Sequence, residues 1–219
     1  MSAFFEKLLD LLFPPRCPFC RAILKDHEKL LCIACRKNLP WTPPPAQKQR
    51  FRNVEVCVSP LYYDGDVRRS LLRYKFSGMS LYAPKYARLM AECVRKNVPD
   101  FDLISWTPLG RKRLKKRGYD QAGLLAQELS ALLQKPCVQL LVKTADNPPQ
   151  SGTGSAEKRR ANVSGVYRAL DPGFIRDKRV LLIDDIVTTG ATISECARVL
   201  KAAGARSVCA AALARSRFD

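Results

Sequence analysis

Residues 180–192 read Val-Leu-Leu-Ile-Asp-Asp-Ile-Val-Thr-Thr-Gly-Ala-Thr, and no other stretch restricts the fold so tightly. Four apolar residues without alternation, Val180 to Ile183, predict a strand buried on both faces, as in a parallel sheet. Adjacent carboxylates repel, and they are costly inside a core unless cations or hydrogen-bond donors meet them. Asp184 and Asp185 are therefore expected at the carboxyl end of the strand, where open α/β sheets bind ligands. Thr188, Thr189, Gly190, Ala191 and Thr192 then combine three hydroxyls with a glycine in a tight turn. Ile193, Cys196, Ala197 and Leu200 follow at helical spacing, and Gly204 ends the period. A helix start with free N–H groups and hydroxyls is a ready phosphate site.

The order is buried strand, acid pair, hydroxyl loop, helix. The acids can accept hydrogen bonds from the vicinal hydroxyls of a ribose while the loop takes its 5′-phosphate. All thirteen positions resemble the phosphoribosyl-pyrophosphate (PRPP) signature of the type I phosphoribosyltransferases. Leu-Ile-Asp-Asp also suits the metal-binding strand of a nucleotide triphosphatase, but the chain contains no G-x-x-x-x-G-K-[ST].

The second constraint is Cys17-Pro-Phe-Cys20 followed, after eleven residues, by Cys32-Ile-Ala-Cys35. Two C-x-x-C turns set four thiolates around one tetrahedral ion, with structural zinc expected and iron the alternative. His27, the only histidine, lies between the turns and reads as a solvated loop residue. So short a stretch has little core, and the metal holds it folded.

Net charge is +18 over 219 residues, which points to a polyanionic partner, nucleic acid before an anionic membrane surface. Glu6 and Asp10 interrupt the first apolar stretch, so a secretory leader is not expected. No transmembrane segment is expected either, since no apolar run approaches the ~18–20 residues that span a bilayer. A cytoplasmic protein is expected, its nine cysteines serving as metal ligands and free thiols.

In chain order, Ser2–Phe13 has the spacing of a short amphipathic helix. Proline-rich Leu39–Ala46 reads as a semi-rigid linker, dividing a zinc-ribbon-like domain, 1–46, from a larger one, 47–219. Val54–Tyr63 is strand-like. Asp66 is expected to cap a helix through Tyr74, Leu81–Asn97 is helical, and Phe101–Trp106 is a strand leading into Thr107, Pro108, Leu109 and Gly110. A run of cations follows: Arg111, Lys112, Arg113, Lys115, Lys116 and Arg117. Starting where a strand ends, this arm shares an edge of the sheet with Asp184. It suits polyphosphate oxygens, a nucleic acid, or both. Asp120 is expected to cap a helix to Gln134. Val138–Val142 is expected as another buried strand, Asp146–Ala161 as a lid, Val163–Leu170 as a return toward the sheet, and Ser207–Leu213 as the last strand. Alternating strands and helices predict an α/β fold with a parallel sheet flanked by helices.

Taken with the two cysteine turns and the PRPP loop, further stretches carry a wider resemblance. They are Tyr74-Lys75-Phe76, Arg113 through Ala122, and Arg160 through Gly165. The whole chain resembles the ComF family, a four-cysteine finger followed by a phosphoribosyltransferase-like domain; the family more often has Asn where Asp120 stands. The resemblance implies PRPP bound with Mg²⁺. Asp184 and Asp185 would take the ribose and Val187 to Thr192 the 5′-phosphate. Thr107, Pro108, Leu109 and Gly110 with Arg111 would take the pyrophosphate, and Asp184, Asp185 and Arg111 would serve any transfer. Two functions fit: transfer of phosphoribosyl to an acceptor that no short motif identifies, or a non-catalytic PRPP-sensing module that binds single-stranded DNA and meets the DNA-uptake machinery of natural transformation. Tyr62, Tyr63, Tyr74, Phe76 and Tyr119 lie near basic residues, as base-stacking aromatics do.

Overall fold

The computed structural model describes residues 13–144 and 165–217. Eight strands are present among them: β1 (Lys48–Phe51), β2 (Val54–Val58), β3 (Leu61–Tyr62), β4 (Leu103–Trp106), β5 (Leu141–Lys143), β6 (Tyr167–Ala169), β7 (Arg179–Val187) and β8 (Ser207–Arg215). The helices are α1 (Ile33–Asn38), α2 (Pro44–Gln47), α3 (Gly65–Phe76), α4 (Ala83–Asn97), α5 (Arg111–Arg117), α6 (Gln121–Leu133), α7 (Pro172–Ile175) and α8 (Ala191–Ala202).

The main sheet runs β1-β2-β8-β7-β4, with β3 added alongside β8. β2, β8, β7 and β4 are parallel, and β1 closes one edge antiparallel. β7 is central, so the unbroken apolar run Val180–Ile183 is buried on both faces, as expected. Its residues alternate between two cores. Leu181 and Ile183 pack with Leu71 and Tyr74 of α3, Met90 of α4 and Leu125 of α6. Val180 and Leu182 pack on the other side with Cys196 and Leu200 of α8 and Ile175 of α7. The finger joins the first of these cores through Phe19, Leu24 and Leu31.

Several expectations are corrected. Asp64, not Asp66, caps α3, its side chain accepting from the Gly65 N–H at 2.7 Å; Asp66 sits in the first turn and pairs with Arg69. Residues 138–142 do not form another parallel strand. β5 pairs antiparallel with β6 in a separate two-stranded sheet, and the residues ahead of β5 reach the main sheet through a bridge from Cys137 to Ile104 and a hydrogen bond from the Leu140 N–H to the Ser105 hydroxyl. The expected return after Val163 therefore meets β5. Ser59 and Pro60 split the 54–63 strand in two, because proline has no N–H for a ladder. The basic run is the helix α5, closed by Gly118 in the left-handed conformation. The end of the proline-rich stretch forms one helical turn with Gln47, Pro44–Gln47, with Pro at its start, and Trp41 bridges to Leu61. The Ser2–Phe13 helix and the Asp146–Ala161 lid fall on residues outside the described ones, apart from Phe13.

Candidate functional site

The parallel register of β4 with β7 builds the site. Trp106 pairs with Ile183, so Thr107 and Asp184 leave the sheet side by side, and the Thr107 N–H donates to the Ile183 carbonyl at 3.0 Å. β4 ends there, while β7 continues through the acids to Val187, two residues further than expected. Beyond Ile183 that side of β7 has no strand partner among the described residues, and a cleft of about 630 Å³ opens against it.

The two acids leave β7 on opposite sides, as neighbours in a strand do. Asp185 continues the Leu181–Ile183 side. It is 6% exposed and meets Lys75 of α3, whose Nζ lies 2.9 Å from Oδ1. Asp184 continues the Val180–Leu182 side, close enough to Cys57 and Cys196 for its charge to raise both thiols further, beyond the effect of their own burial. Burial and the neighbouring Asp185 push the Asp184 carboxyl up to about 7, against relief from Lys75, the Asp185 N–H and the Thr107 hydroxyl. The Asp185 N–H reaches Asp184 Oδ1 at 2.8 Å. The acid pair is thus tolerated where a cation and donors meet it.

The hydroxyl loop stands at the start of α8, as the order of residues predicted. Gly190 caps the helix with φ +71°, a conformation L side chains rarely adopt. Val187, Thr188, Thr189, Gly190, Ala191 and Thr192 all border the same cleft as the acids. Thr107, Pro108 and Leu109 border it from β4. Their loop is tied down by Asp120, which accepts from the Leu109 N–H at 3.0 Å and, as the expected cap of α6, from the Gly123 N–H at 3.1 Å. Burial holds the Asp120 carboxyl above its ordinary value.

Helix geometry sorts the basic run. Arg113, Lys116 and Arg117, at i, i+3 and i+4, share one face and border the cleft. Gly110, Arg111, Lys112 and Lys115 do not border it; Gly110 is the buried start of α5, and Arg111 is exposed on its first turn. Five cations (Lys75, Arg113, Lys116, Arg117, Lys143) and three carboxylates (Asp120, Asp184, Asp185) border the cleft, a balance suited to an anionic ligand. Arg117 stacks 4.8 Å over the Phe76 ring, which is 64% exposed. Tyr74 is fully buried against Tyr86 and Tyr119, so it is a core residue and not a surface for bases.

Lys75, Lys143 and Tyr167 at the cleft, and Phe51 against Gly190, escaped the sequence reading. Lys75 was visible only as part of a shared three-residue stretch. Phe51 lies on β1, more than a hundred residues from Gly190, whose backbone its ring covers. No local pattern connects either to the acid pair.

At the finger, Cys17, Cys20, Cys32 and Cys35 place their Sγ atoms within 4.8 Å of one another, three of the residues buried. Thiolates around a tetrahedral zinc, at about 2.3 Å each, stand roughly 3.8 Å apart, and Cys20 and Cys32 are 3.5 Å apart. The Cys35 N–H points at Cys32 Sγ, 3.4 Å away. Burial raises the Cys35 thiol. At Cys17 burial is outweighed by hydrogen bonds from the backbone of Cys32, Cys20 and Phe19, and that thiol is lowered. The set fits one structural ion.

Comparison with known proteins matches both parts of the chain. A phosphoribosyl transferase domain model matches residues 114–217, and a double zinc ribbon model matches residues 8–48. DNA utilization protein YhgH of Escherichia coli O157:H7 is 31% identical over 205 residues, covering 88% of this chain and 80% of that protein. The chain belongs to the ComF family. Its likeness to Competence protein F of Haemophilus influenzae is 28% over 223 residues, or 92% of this chain and 97% of that one. Competence protein ComFC of Streptococcus pneumoniae is 30% identical over 151 residues, covering 67% of this chain and 62% of that one. Among solved structures, an adenine phosphoribosyltransferase from Leishmania tarentolae is 18% identical, with a TM-score of 0.38 over 84% of this chain and 73% of that one. The match to a double ribbon notwithstanding, this ComF-family chain offers a single four-thiol cluster among its described residues, and its other five cysteines lie in β2, α4, α8, β8 and ahead of β5. No helix among the described residues is long and apolar enough to cross a membrane.

Proposed function

We propose that the cleft binds PRPP together with Mg²⁺, and that this ComF-family protein does so in the cytoplasm while engaging single-stranded DNA during DNA uptake. The observation that carries the first part is the junction of the acid pair and the Thr188–Thr192 loop on one cleft at the carboxyl edge of a parallel sheet. Asp184 and Asp185 accept the two ribose hydroxyls. The loop N–H groups and hydroxyls at the start of α8 hold the 5′-phosphate. Thr107, Pro108 and Leu109, held by Asp120, form the wall toward the pyrophosphate, with Arg113, Lys116 and Arg117 supplying charge in place of Arg111. When bound, Mg²⁺ offsets the charge of the pyrophosphate. The finger holds one structural zinc through its four cysteines.

The test is thermal stabilisation by PRPP·Mg²⁺. Stabilisation that vanishes in Asp184→Asn/Asp185→Asn supports the reading, and an unchanged shift in that variant removes both acids from the ligand. Pyrophosphate release from PRPP in the presence of nucleobases and small amines separates a transferase from a PRPP-sensing module. Engagement of single-stranded DNA draws on the likeness to competence and DNA utilization proteins and on the net charge of +18.

A further inference from the structure

Helix α3 is lodged between the cysteine knuckle and the acid pair. Toward the knuckle, the Ser70 hydroxyl donates to the Pro18 carbonyl. Arg73 Nη2 donates to the carbonyls of Pro18 at 3.0 Å and Phe19 at 2.6 Å. Both acceptors lie inside the Cys17–Cys20 turn, between two of the four thiols. Tyr86 of α4 completes the contact, with its hydroxyl 2.5 Å from Ser70 Oγ and its ring 5.7 Å from that of Phe19.

Toward the cleft, the same helix presents Lys75 to Asp185. Arg73 and Lys75 are two residues apart, and at about 3.6 residues per turn such a pair projects to nearly opposite sides. Tyr74, between them, donates its hydroxyl to the Gln121 carbonyl at 2.9 Å and accepts at its own carbonyl from Tyr119. The last turn of α3 is thereby fixed on three sides: by the knuckle, by the start of α6, and by the acid.

A four-cysteine turn of this size holds its shape through its metal. Opening it moves the Pro18 and Phe19 carbonyls and leaves Ser70 and Arg73 without those acceptors. Nothing else in the finger makes a side-chain hydrogen bond to α3 among the described residues.

We propose that the metal knuckle positions the cleft: by gripping Ser70 and Arg73 it sets Lys75 against Asp185, so affinity at the acid pair depends on an intact finger. This rests on the reading of the cleft as a PRPP site. Lys75 acts here as a positioning residue, a fixed cation that lets the buried Asp185 and the half-buried Asp184 face the ligand together.

The experiment measures PRPP·Mg²⁺ binding by calorimetry alongside amide hydrogen exchange at residues 73–76. Arg73→Met and Ser70→Ala substitute no residue that borders the cleft. Arg73→Met weakens binding about tenfold, Ser70→Ala less, and Lys75→Met about as much as Arg73→Met. The double variant Arg73→Met/Lys75→Met is no weaker than Lys75→Met alone, because both act through one contact. Lys85→Met, which loses a bond from α4 to the Arg16 carbonyl, stays within twofold of wild type. Removing the metal with a chelator speeds exchange at residues 73–76 at least tenfold. Wild-type affinity in folded Arg73→Met and Ser70→Ala, additivity in the double variant, an equal loss in Lys85→Met, or unchanged exchange without metal each overturns the proposal. If wild type binds no PRPP, or binding survives Asp184→Asn/Asp185→Asn, the PRPP reading fails by itself, and the exchange rates still decide whether the knuckle positions α3.

Discussion

The ring of Phe51 covers Gly190 so closely that a Cβ on the glycine would stand 2.2 Å from Phe51 Cδ1. The loop start therefore tolerates no side chain, for two independent reasons: its φ of +71° and this contact. Gly190→Ala is expected to lower stability by about 2–4 kcal/mol and to abolish stabilisation by PRPP. Adding Phe51→Ala relieves the clash and leaves the backbone cost. A melting temperature in Gly190→Ala equal to wild type would contradict the contact.

The acid pair makes stability depend on pH in a defined direction. The Asp184 carboxyl sits at about 7 when folded, against an ordinary 3.8. The folded state thus binds a proton more tightly than the unfolded one, and stability falls as pH rises from about 4 to about 7. Asp184→Asn removes this penalty. The variant is expected to melt above wild type at pH 8, with the difference shrinking toward zero near pH 4. PRPP affinity should run the other way and rise as pH passes 7, since the ionised Asp184 carboxylate is the stronger acceptor for its ribose hydroxyl. Melting curves at both pH values check the first trend and calorimetry the second.

Metal analysis of the purified protein is expected to give one zinc per chain, not the two that a double ribbon suggests. Cys32→Ser should lose that ion and melt about 8 °C or more lower, as loss of a structural metal does. Two equivalents would mean that ligands outside the four thiols take part.

Binding to single-stranded DNA should weaken steeply with salt. Each phosphate neutralised contributes about 0.7 to the slope of log affinity against log salt on a single strand. Lys115→Ala, at a residue outside the cleft lining, should therefore flatten the slope by about 0.7 and leave the PRPP-dependent melting shift in place. An unchanged slope removes Lys115 from the DNA surface.

Much of the site was legible because chemistry and local geometry coincide at it. An apolar run, two acids and a hydroxyl loop can be satisfied together at the end of a buried strand, and β7 and α8 supply that arrangement. The cysteine turns were legible for the same reason, and Asp120 was read as a cap from its place before a helical period. Long-range contacts were not legible. Lys75 reaches Asp185 across 110 positions of sequence and Phe51 reaches Gly190 across nearly 140, and neither leaves a periodic trace. Residues 138–142 misled because a short apolar run suits a two-stranded ribbon as well as a parallel sheet. Position in a charged run says nothing about which side of a helix a residue takes, and Arg111 stands exposed, outside the residues that border the cleft.

Asp184 and Asp185 emerge from β7 toward different cores, yet both border one cleft. A flat ring resting against either core can touch only one of them. A molecule that engages both must wrap around the bare rim of the strand, offering hydroxyl groups that diverge in space. On the proposed PRPP reading the ribose meets that demand with its two diverging hydroxyls, and the strand's own up-and-down alternation would favour it by shape over a planar base.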